Sequence, residues 1–261
     1  MNLDLTGKRA LVCGSTQGIG RAAAMELALL GASITLVARN EEKLQEVISH
    51  LPADDTESHH YFTADFSQPE RLKSELDNYL KNHTIDILVN NTGGPPAGQA
   101  IDAELNDFID AFSQHLICNQ ILTQAVVPGM KEAGWGKIIN VISTSAKAPL
   151  RGLGVSNTIR GAVANWAKTL SFELAPFGIT VNNVLPSTAM TGRLQSIIKT
   201  RADKEEKTLE QVEKEMIKEI PAGRIGTSED VAAAIAFLAS PAADYINGIN
   251  LPVDGGKTPN L

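Results

Sequence analysis

The chain has little cysteine, no long apolar run and no excess of positive charge. Its two cysteines, Cys13 and Cys118, lie far apart, with no C-x-x-C pair and no spaced histidines nearby. That excludes a disulfide framework and the usual zinc-ligand sets, and both read as small buried apolar residues. His59 and His60 are adjacent, and neighbours do not converge on one metal from a strand or a helix. They read as a solvated loop, and no metal site is expected. Thirty Asp and Glu against 23 Lys and Arg give a net charge of −7 and a pI near 5.3, which argues against a nucleic-acid backbone or an anionic membrane as partner. The N-terminus, Met1-Asn2-Leu3-Asp4-Leu5, has no basic region, and no segment reaches the roughly 18 consecutive apolar residues of a membrane span. A soluble, cytoplasmic protein is expected.

What is present is ordinary globular material, 43% hydrophobic and 20% charged over 261 residues. That length accommodates one large α/β domain, although length alone also allows two. No linker composition, repeat or low-complexity tract divides residues 1–261, though residues 201–219 are densely charged. Strand-like apolar runs recur at 10–13, 33–38, 61–63, 85–90, 137–142, 180–185 and 248–253. Segments with helical spacing alternate with them at 19–30, 41–49, 68–81, 102–131, 155–174 and 228–238. The alternation predicts a doubly wound parallel sheet covered by helices on both faces.

In such a sheet ligands sit beyond the carboxyl ends of the strands. After the first strand comes Cys13-Gly14-Ser15-Thr16-Gln17-Gly18-Ile19-Gly20. Its glycines tolerate positive φ and let backbone N–H groups approach a diphosphate at a helix N-terminus. The spacing is G-x-x-x-G-x-G rather than G-x-G-x-x-G, and three glycines are also compatible with a plain turn. After the second strand comes Ala38-Arg39-Asn40. The carboxylate that would accept the ribose hydroxyls of NAD is missing there, and Arg39 is a planar cation suited to a 2′-phosphate, so NADP(H) is expected. Ala64-Asp65-Phe66 and Asn90-Asn91-Thr92-Gly93-Gly94 follow the third and fourth.

Taken together, these stretches resemble the short-chain dehydrogenase/reductase family, over nearly the whole chain from Leu5-Thr6-Gly7-Lys8 to Val253-Asp254-Gly255-Gly256. Cys13–Gly20 is similar to the family's T-G-x-x-x-G-I-G, with Cys13 in place of threonine. Asn90–Gly93 is similar to N-N-A-G, with Thr92 in place of alanine. Asp65 matches the aspartate that hydrogen-bonds the adenine edge, and Pro186-Ser187-Thr188-Ala189-Met190-Thr191 resembles the P-G-x-x-x-T segment that holds the nicotinamide carboxamide. The resemblance implies a Rossmann-like NADP(H) site built from Gly14, Ser15, Thr16, Gln17, Gly18, Ile19, Gly20, Arg39, Asn40, Asp65, Phe66, Asn91, Thr92, Gly93, Arg160, Pro186, Ser187, Ala189 and Thr191. It implies hydride exchange with a small carbonyl or secondary alcohol, as in ketoacyl-carrier-protein reductases, a homotetramer or homodimer built on the long helices at 102–131 and 155–174, and a substrate lid at about 191–219.

The catalytic pattern departs from the family. Aligning Gly136–Ser143 places the expected serine at Ser143. Ser156 then stands where a tyrosine belongs, Arg160 where a lysine belongs, and His115 where an asparagine belongs. A tyrosine–lysine pair cycles the proton that a developing alkoxide needs; a serine hydroxyl is a much weaker acid, and an arginine stays protonated. Tyr61, Tyr79 and Tyr245 all fall outside the expected pocket. An active site would then use Ser143 to orient a carbonyl, Arg160 to fix the cofactor or an oxyanion, and His115 to exchange the proton, unless His115 is simply a packed helix residue. Gly154-Val155-Ser156-Asn157-Thr158 lacks the second glycine of a hydrolase elbow, so Ser156 reads instead as a helix-start serine that caps backbone N–H groups. The alternative to an enzyme is an NADP(H)-binding sensor or assembly subunit. Arg193, Lys199, Arg201 and Lys204 read as a solvated face rather than an anion site, and Pro95 and Pro96 as a stiff pocket wall.

Overall fold

The computed structural model describes residues 1–52 and 58–259. In chain order the elements are β1 (Arg9–Cys13), α1 (Gly18–Leu29), β2 (Ser33–Ala38), α2 (Glu41–His50), β3 (His60–Thr63), α3 (Pro69–Tyr79), β4 (Ile87–Asn90), α4 (Leu105–Phe112), α5 (Cys118–Ala133), β5 (Gly136–Val141), α6 (Gly154–Leu174), β6 (Ile179–Pro186), α7 (Gly192–Glu205), α8 (Leu209–Lys218), α9 (Ser228–Ala239) and β7 (Asn250–Val253). The strands form one parallel sheet in the order β3-β2-β1-β4-β5-β6-β7. This is the expected Rossmann-like arrangement, and its strand order reverses between β1 and β4, which opens the crevice that ligands use.

Adjacent residues of a strand point to opposite faces, so apolar strand residues feed two cores. Val12, Ile34 and Ile139 pack with Ala23 and Leu27 of α1 and with Val231 and Ile235 of α9. Their neighbours Leu11 and Ile138, with Leu88, pack against Leu72 and Leu76 of α3 and Cys118 and Leu122 of α5. Both cysteines are buried and unpaired, as their reading required. Leu194, Ile198 and Ala202 of α7 join Val212 of α8 in a smaller cluster of their own.

The long helix expected over 102–131 is interrupted. A 3-10 turn occupies Ala100–Asp102, α4 follows, and a π turn over Ser113–Ile117 separates α4 from α5. A π turn inserts one extra residue per turn, and a smooth 3.6-residue pattern hides it. The reading of His59 and His60 as a solvated loop is also corrected. His60 belongs to β3 and its ring lies 4.8 Å from that of His83. The ring nitrogens of His59 contact Ile34 N (3.0 Å) and Pro52 O (3.0 Å).

Register on the β4 side is fixed by a row of amides. Asn90, Asn140, Asn183 and Asn250 are paired in consecutive strands, so their side chains lie one strand spacing apart on one face. Asn90 Nδ2 donates to Asn140 Oδ1 (2.9 Å), Asn140 Nδ2 to Asn183 Oδ1 (2.9 Å) and Asn183 Nδ2 to Asn250 Oδ1 (2.8 Å). Asparagine is a poor strand former, and a buried amide without partners is costly. A slip of one residue would turn each amide to the opposite face. Asn140→Ala orphans the Asn90 donor and the Asn183 acceptor and is expected to lower unfolding free energy by about 2–6 kcal/mol, from about 1–3 for each buried group left unpaired. Asn250→Ala, at the half-buried end, should cost only about 1 kcal/mol, and urea unfolding midpoints check the difference.

Candidate functional site

The glycine turn is shaped by close packing at the strand-order reversal. Gly14 (φ +59°) and Gly18 (φ +54°) adopt the left-handed region, which favours glycine. A Cβ on Gly14 would lie 2.5 Å from the Asn91 carbonyl oxygen, and one on Gly20 would strike the Gly14 carbonyl. Asn91 Nδ2 donates to the carbonyls of Cys13 (3.2 Å) and Gly14 (3.4 Å), tying the end of β4 to the turn. Ser15 is buried and its hydroxyl accepts from Val37 N (3.1 Å), which fastens the turn to β2. Thr16 is half-buried and Ile19 packs on the core. Gln17 holds the N-cap position of α1 without a side-chain cap bond. The first-turn N–H groups of α1 therefore remain for an anion.

At the ends of β2 and β3, Arg39 is exposed and makes no hydrogen bond or ion pair among the described residues. Asn40 Oδ1 accepts from Lys43 N (2.8 Å) and caps α2. Asp65 Oδ1 accepts from Ser67 N (2.9 Å). That bond, and after it the charges of Arg39 and Arg71, hold the Asp65 carboxyl below its ordinary pKa against the opposing effect of partial burial. Phe66 packs against the core beside it, and its carbonyl accepts from Cys118 Sγ (3.3 Å). A row of uncapped N–H groups, a free guanidinium and an ionised carboxylate along one edge fits a phosphorylated dinucleotide with its adenosine half over β2 and β3.

Ser143 follows β5, where its Oγ accepts from Ser145 N (3.1 Å) and caps a short 3-10 turn. The hydroxyl proton is therefore left to donate elsewhere. Arg160 of α6 is 7% exposed, and its Nη1 donates to Val141 O (3.3 Å) at the end of the same strand. Burial, and then the charge of Arg193, lower its pKa to about 10. His115 lies in the π turn, 2% exposed, with Nδ1 2.6 Å from Thr92 Oγ1. Burial first, then Arg160 and Arg193, lower its pKa to about 3, so the ring is neutral at any ordinary pH.

Ser156 is buried in the first turn of α6, but the N-cap position belongs to Leu153. The Ser156 hydroxyl makes no hydrogen bond among the described residues, which corrects its reading as a cap. None of the three tyrosines approaches this group. Tyr61 Oη contacts Glu41 (3.1 Å) and Gln45 (2.8 Å), Tyr79 Oη lies 2.7 Å from Thr35 Oγ1, and Tyr245 is fully exposed.

The segment after β6 closes the other side of the crevice. Pro186 ends the strand, Ser187 Oγ lies 3.5 Å from Thr188 Oγ1, and Ala189 is buried in a β-bridge with Gly226. Thr191 caps α7 through Leu194 N (3.3 Å), and its Cγ2 sits 3.4 Å from where a Gly18 Cβ would be. A side chain at position 18 would thus be in van der Waals contact with the residue that caps α7. Gly93 has open space where its Cβ would be.

Of the four cations read as a solvated face, Arg193, Lys199 and Lys204 are exposed as expected, while Arg201 and Arg193 also make directed contacts. Arg201 joins Glu205, Lys207 and Glu215 in an ion-pair network between α7 and α8. Arg193 Nη2 donates to Pro95 O (2.8 Å), and its guanidinium lies where a Gly94 Cβ would be. Sequence reading overlooked this contact because it joins residues 98 positions apart. The double glycine followed by Pro95 was the one available signal.

The family model described as enoyl-(acyl carrier protein) reductase matches residues 14–258. A 3-oxoacyl-(acyl-carrier-protein) reductase of Rickettsia prowazekii is 34% identical over 255 residues, spanning 97% of this chain and 98% of that protein. A 2-dehydro-3-deoxy-D-gluconate 5-dehydrogenase of Bacillus subtilis is 35% identical over 253 residues, 97% of this chain and 95% of that one. The crystal structure of L-sorbose reductase from Gluconobacter frateurii, complexed with NADPH and L-sorbose, superposes with a TM-score of 0.93 at 28% identity over 100% of both chains. With motif, sequence and architecture agreeing along its length, the chain belongs to the short-chain dehydrogenase/reductase family.

Proposed function

We propose that this protein is an NADP(H)-dependent oxidoreductase that interconverts a carbonyl and a secondary alcohol without a tyrosine–lysine pair. The observation that carries the reading is the convergence of the uncapped glycine turn, the free Arg39 and the free Ser143 proton at the carboxyl ends of one parallel sheet. NADP(H) supplies the hydride. Arg39 holds the 2′-phosphate, the turn from Gly14 to Gly20 faces the diphosphate, and Asp65 accepts from the adenine amino group.

Ser143 donates its hydroxyl proton as a hydrogen bond to the substrate oxygen. Arg160, still protonated with a pKa of about 10, spreads positive charge where that oxygen becomes negative, or holds the nicotinamide ribose. A neutral His115 cannot deliver a proton as imidazolium. It can still pass one, since the proton shared between Thr92 Oγ1 and Nδ1 can shift while a second enters or leaves at Nε2. Water is then the ultimate donor. α7 and α8 serve as a lid over a single-domain chain, excluding bulk water.

Sensor or assembly-subunit function is the second reading. It is favoured by one specific observation, the replacement of the phenol by the unbonded Ser156 hydroxyl. Leu105, Ile109 and Phe112 expose apolar surface on α4, as Phe172 does on α6, which supports self-association as a homotetramer or homodimer through these helices. A cytoplasmic location is consistent with two free buried cysteines and with no helix among the described residues being long and apolar enough to cross a membrane.

NADPH fluorescence titration followed by oxidation assays on a ketone and ketoacyl-thioester panel tests the reading. Tight NADPH binding with no turnover on any ketone would instead support the sensor. Arg39→Gln is expected to weaken NADPH about tenfold, one charge-assisted contact worth about 1.4 kcal/mol, and to leave NADH binding unchanged. Equal loss for both cofactors would refute the role of Arg39.

The acid limb of stability follows from His115. Its folded pKa of about 3 lies below the ordinary 6.5, so on acidification the unfolded chain takes a proton that the folded chain refuses. Stability is full above about pH 6.5 and is lost toward pH 3 at up to about 1.4 kcal/mol per pH unit. His115→Gln removes this slope, and melting temperatures of the two proteins should converge between pH 7 and pH 4.5.

A further inference from the structure

Besides Arg39 at the cofactor edge, two guanidinium groups stand at this crevice without an acid to pair with. Arg71, Arg201 and Arg224 form ion pairs with Glu75, Glu205 or Glu215, and Asp230. Arg160 and Arg193 form none among the described residues; neither do Arg9, Arg21, Arg39 and Arg151, but those four are exposed and none of them reaches across the crevice between β4 and α7. Each donates one hydrogen bond, to a backbone carbonyl: Arg160 to Val141 and Arg193 to Pro95. A guanidinium carries five N–H donors in a planar fork, so most of both forks is unspent. Arg160 is nine-tenths buried, where an uncompensated cation is expensive. The charges acting on His115 and Arg160 are both cationic, with no carboxylate among them.

Ser143 follows the same strand end that holds Arg160, while Arg193 crosses from the first turn of α7 to the loop after β4. An oxyanion entering between them would meet Arg160 on the floor and Arg193 at the mouth. We propose that the substrate bears an anionic oxygen group, a carboxylate or a phosphate, held by the unspent donors of Arg193 and Arg160 while its carbonyl or hydroxyl lies at Ser143. Arg193, an exposed residue in the first turn of α7, is in this view a specificity residue anchored to Pro95. The inference rests on the oxidoreductase reading above and assigns its substrate a charge.

The test uses the full chain loaded with NADP⁺ and titrated calorimetrically with two matched pairs of ketones: acetoacetate against methyl acetoacetate, and dihydroxyacetone phosphate against dihydroxyacetone. In at least one pair the anion is expected to bind about tenfold tighter or more, the worth of a charge-assisted contact, and that pair tells carboxylate from phosphate. Arg193→Met is expected to abolish the preference by weakening the anion alone, and Arg193→Lys to retain part of it. Equal binding within both pairs, or a preference that survives Arg193→Met, overturns the assignment. The same titration reads NADP⁺ affinity. Failure to bind NADP⁺ overturns the cofactor reading beneath the inference, whereas NADP⁺ binding with indifference to substrate charge overturns the inference alone.

Discussion

The row of amides across β4, β5, β6 and β7 sets the heights at which these strands deliver the chain to the crevice. Asn90 immediately precedes Asn91, whose side chain ties β4 to the glycine turn. Asn140 lies three residues before Ser143, and Asn183 three before Pro186. Because hydrogen bonds between neighbouring amides hold these strands in register, the chain leaves each strand at a fixed level. Backbone pairing alone would tolerate a slipped strand more readily, since every peptide offers the same donor and acceptor. Apolar packing on the β1 side and polar registration on the β4 side thus meet at the reversal, where Gly14 and Gly20 admit the close approach.

What this frame presents is charge rather than a proton donor. Arg160 is a buried cation, Arg193 a second one at the mouth, and His115 a ring kept neutral by their field and by burial. Burial is the larger cause for both groups, and the cations that could stabilise a developing oxyanion add to it by suppressing any nearby imidazolium. On the function proposed above, a site built this way would stabilise negative charge electrostatically and take its proton from water. The family's usual tyrosine joins both tasks in one side chain.

Much of the fold was legible because a parallel sheet demands continuous apolar strands and amphipathic crossovers, and both periods are plain in the sequence. β2 falls on its expected span, residues 33–38, and the other strand boundaries shift by a residue or two. Failures came where local pattern and tertiary contact differ. The π turn around His115 preserves helical spacing to the eye while rotating the following residues. Ser156 resembles a cap by composition, yet α6 begins two residues earlier. No motif reveals that an exposed arginine is anchored to a distant carbonyl, as Arg193 is to Pro95.

Ser156 and Arg160 are best understood as one departure. Positions i and i+4 share a helix face, and here the smaller residue precedes the larger, planar cation. A lysine beside a phenol is a compact charge whose main effect is on its neighbour's acidity. An arginine without that neighbour has no acidity to tune and offers a fork of directed donors instead. Its burial is costly in the empty site, and an anion inside the crevice offsets that cost. On the proposal above, the energetic disadvantage of Arg160 in the free protein would become preference for an anionic ligand, so that the residue expected to break the catalytic pattern would strengthen ligand binding.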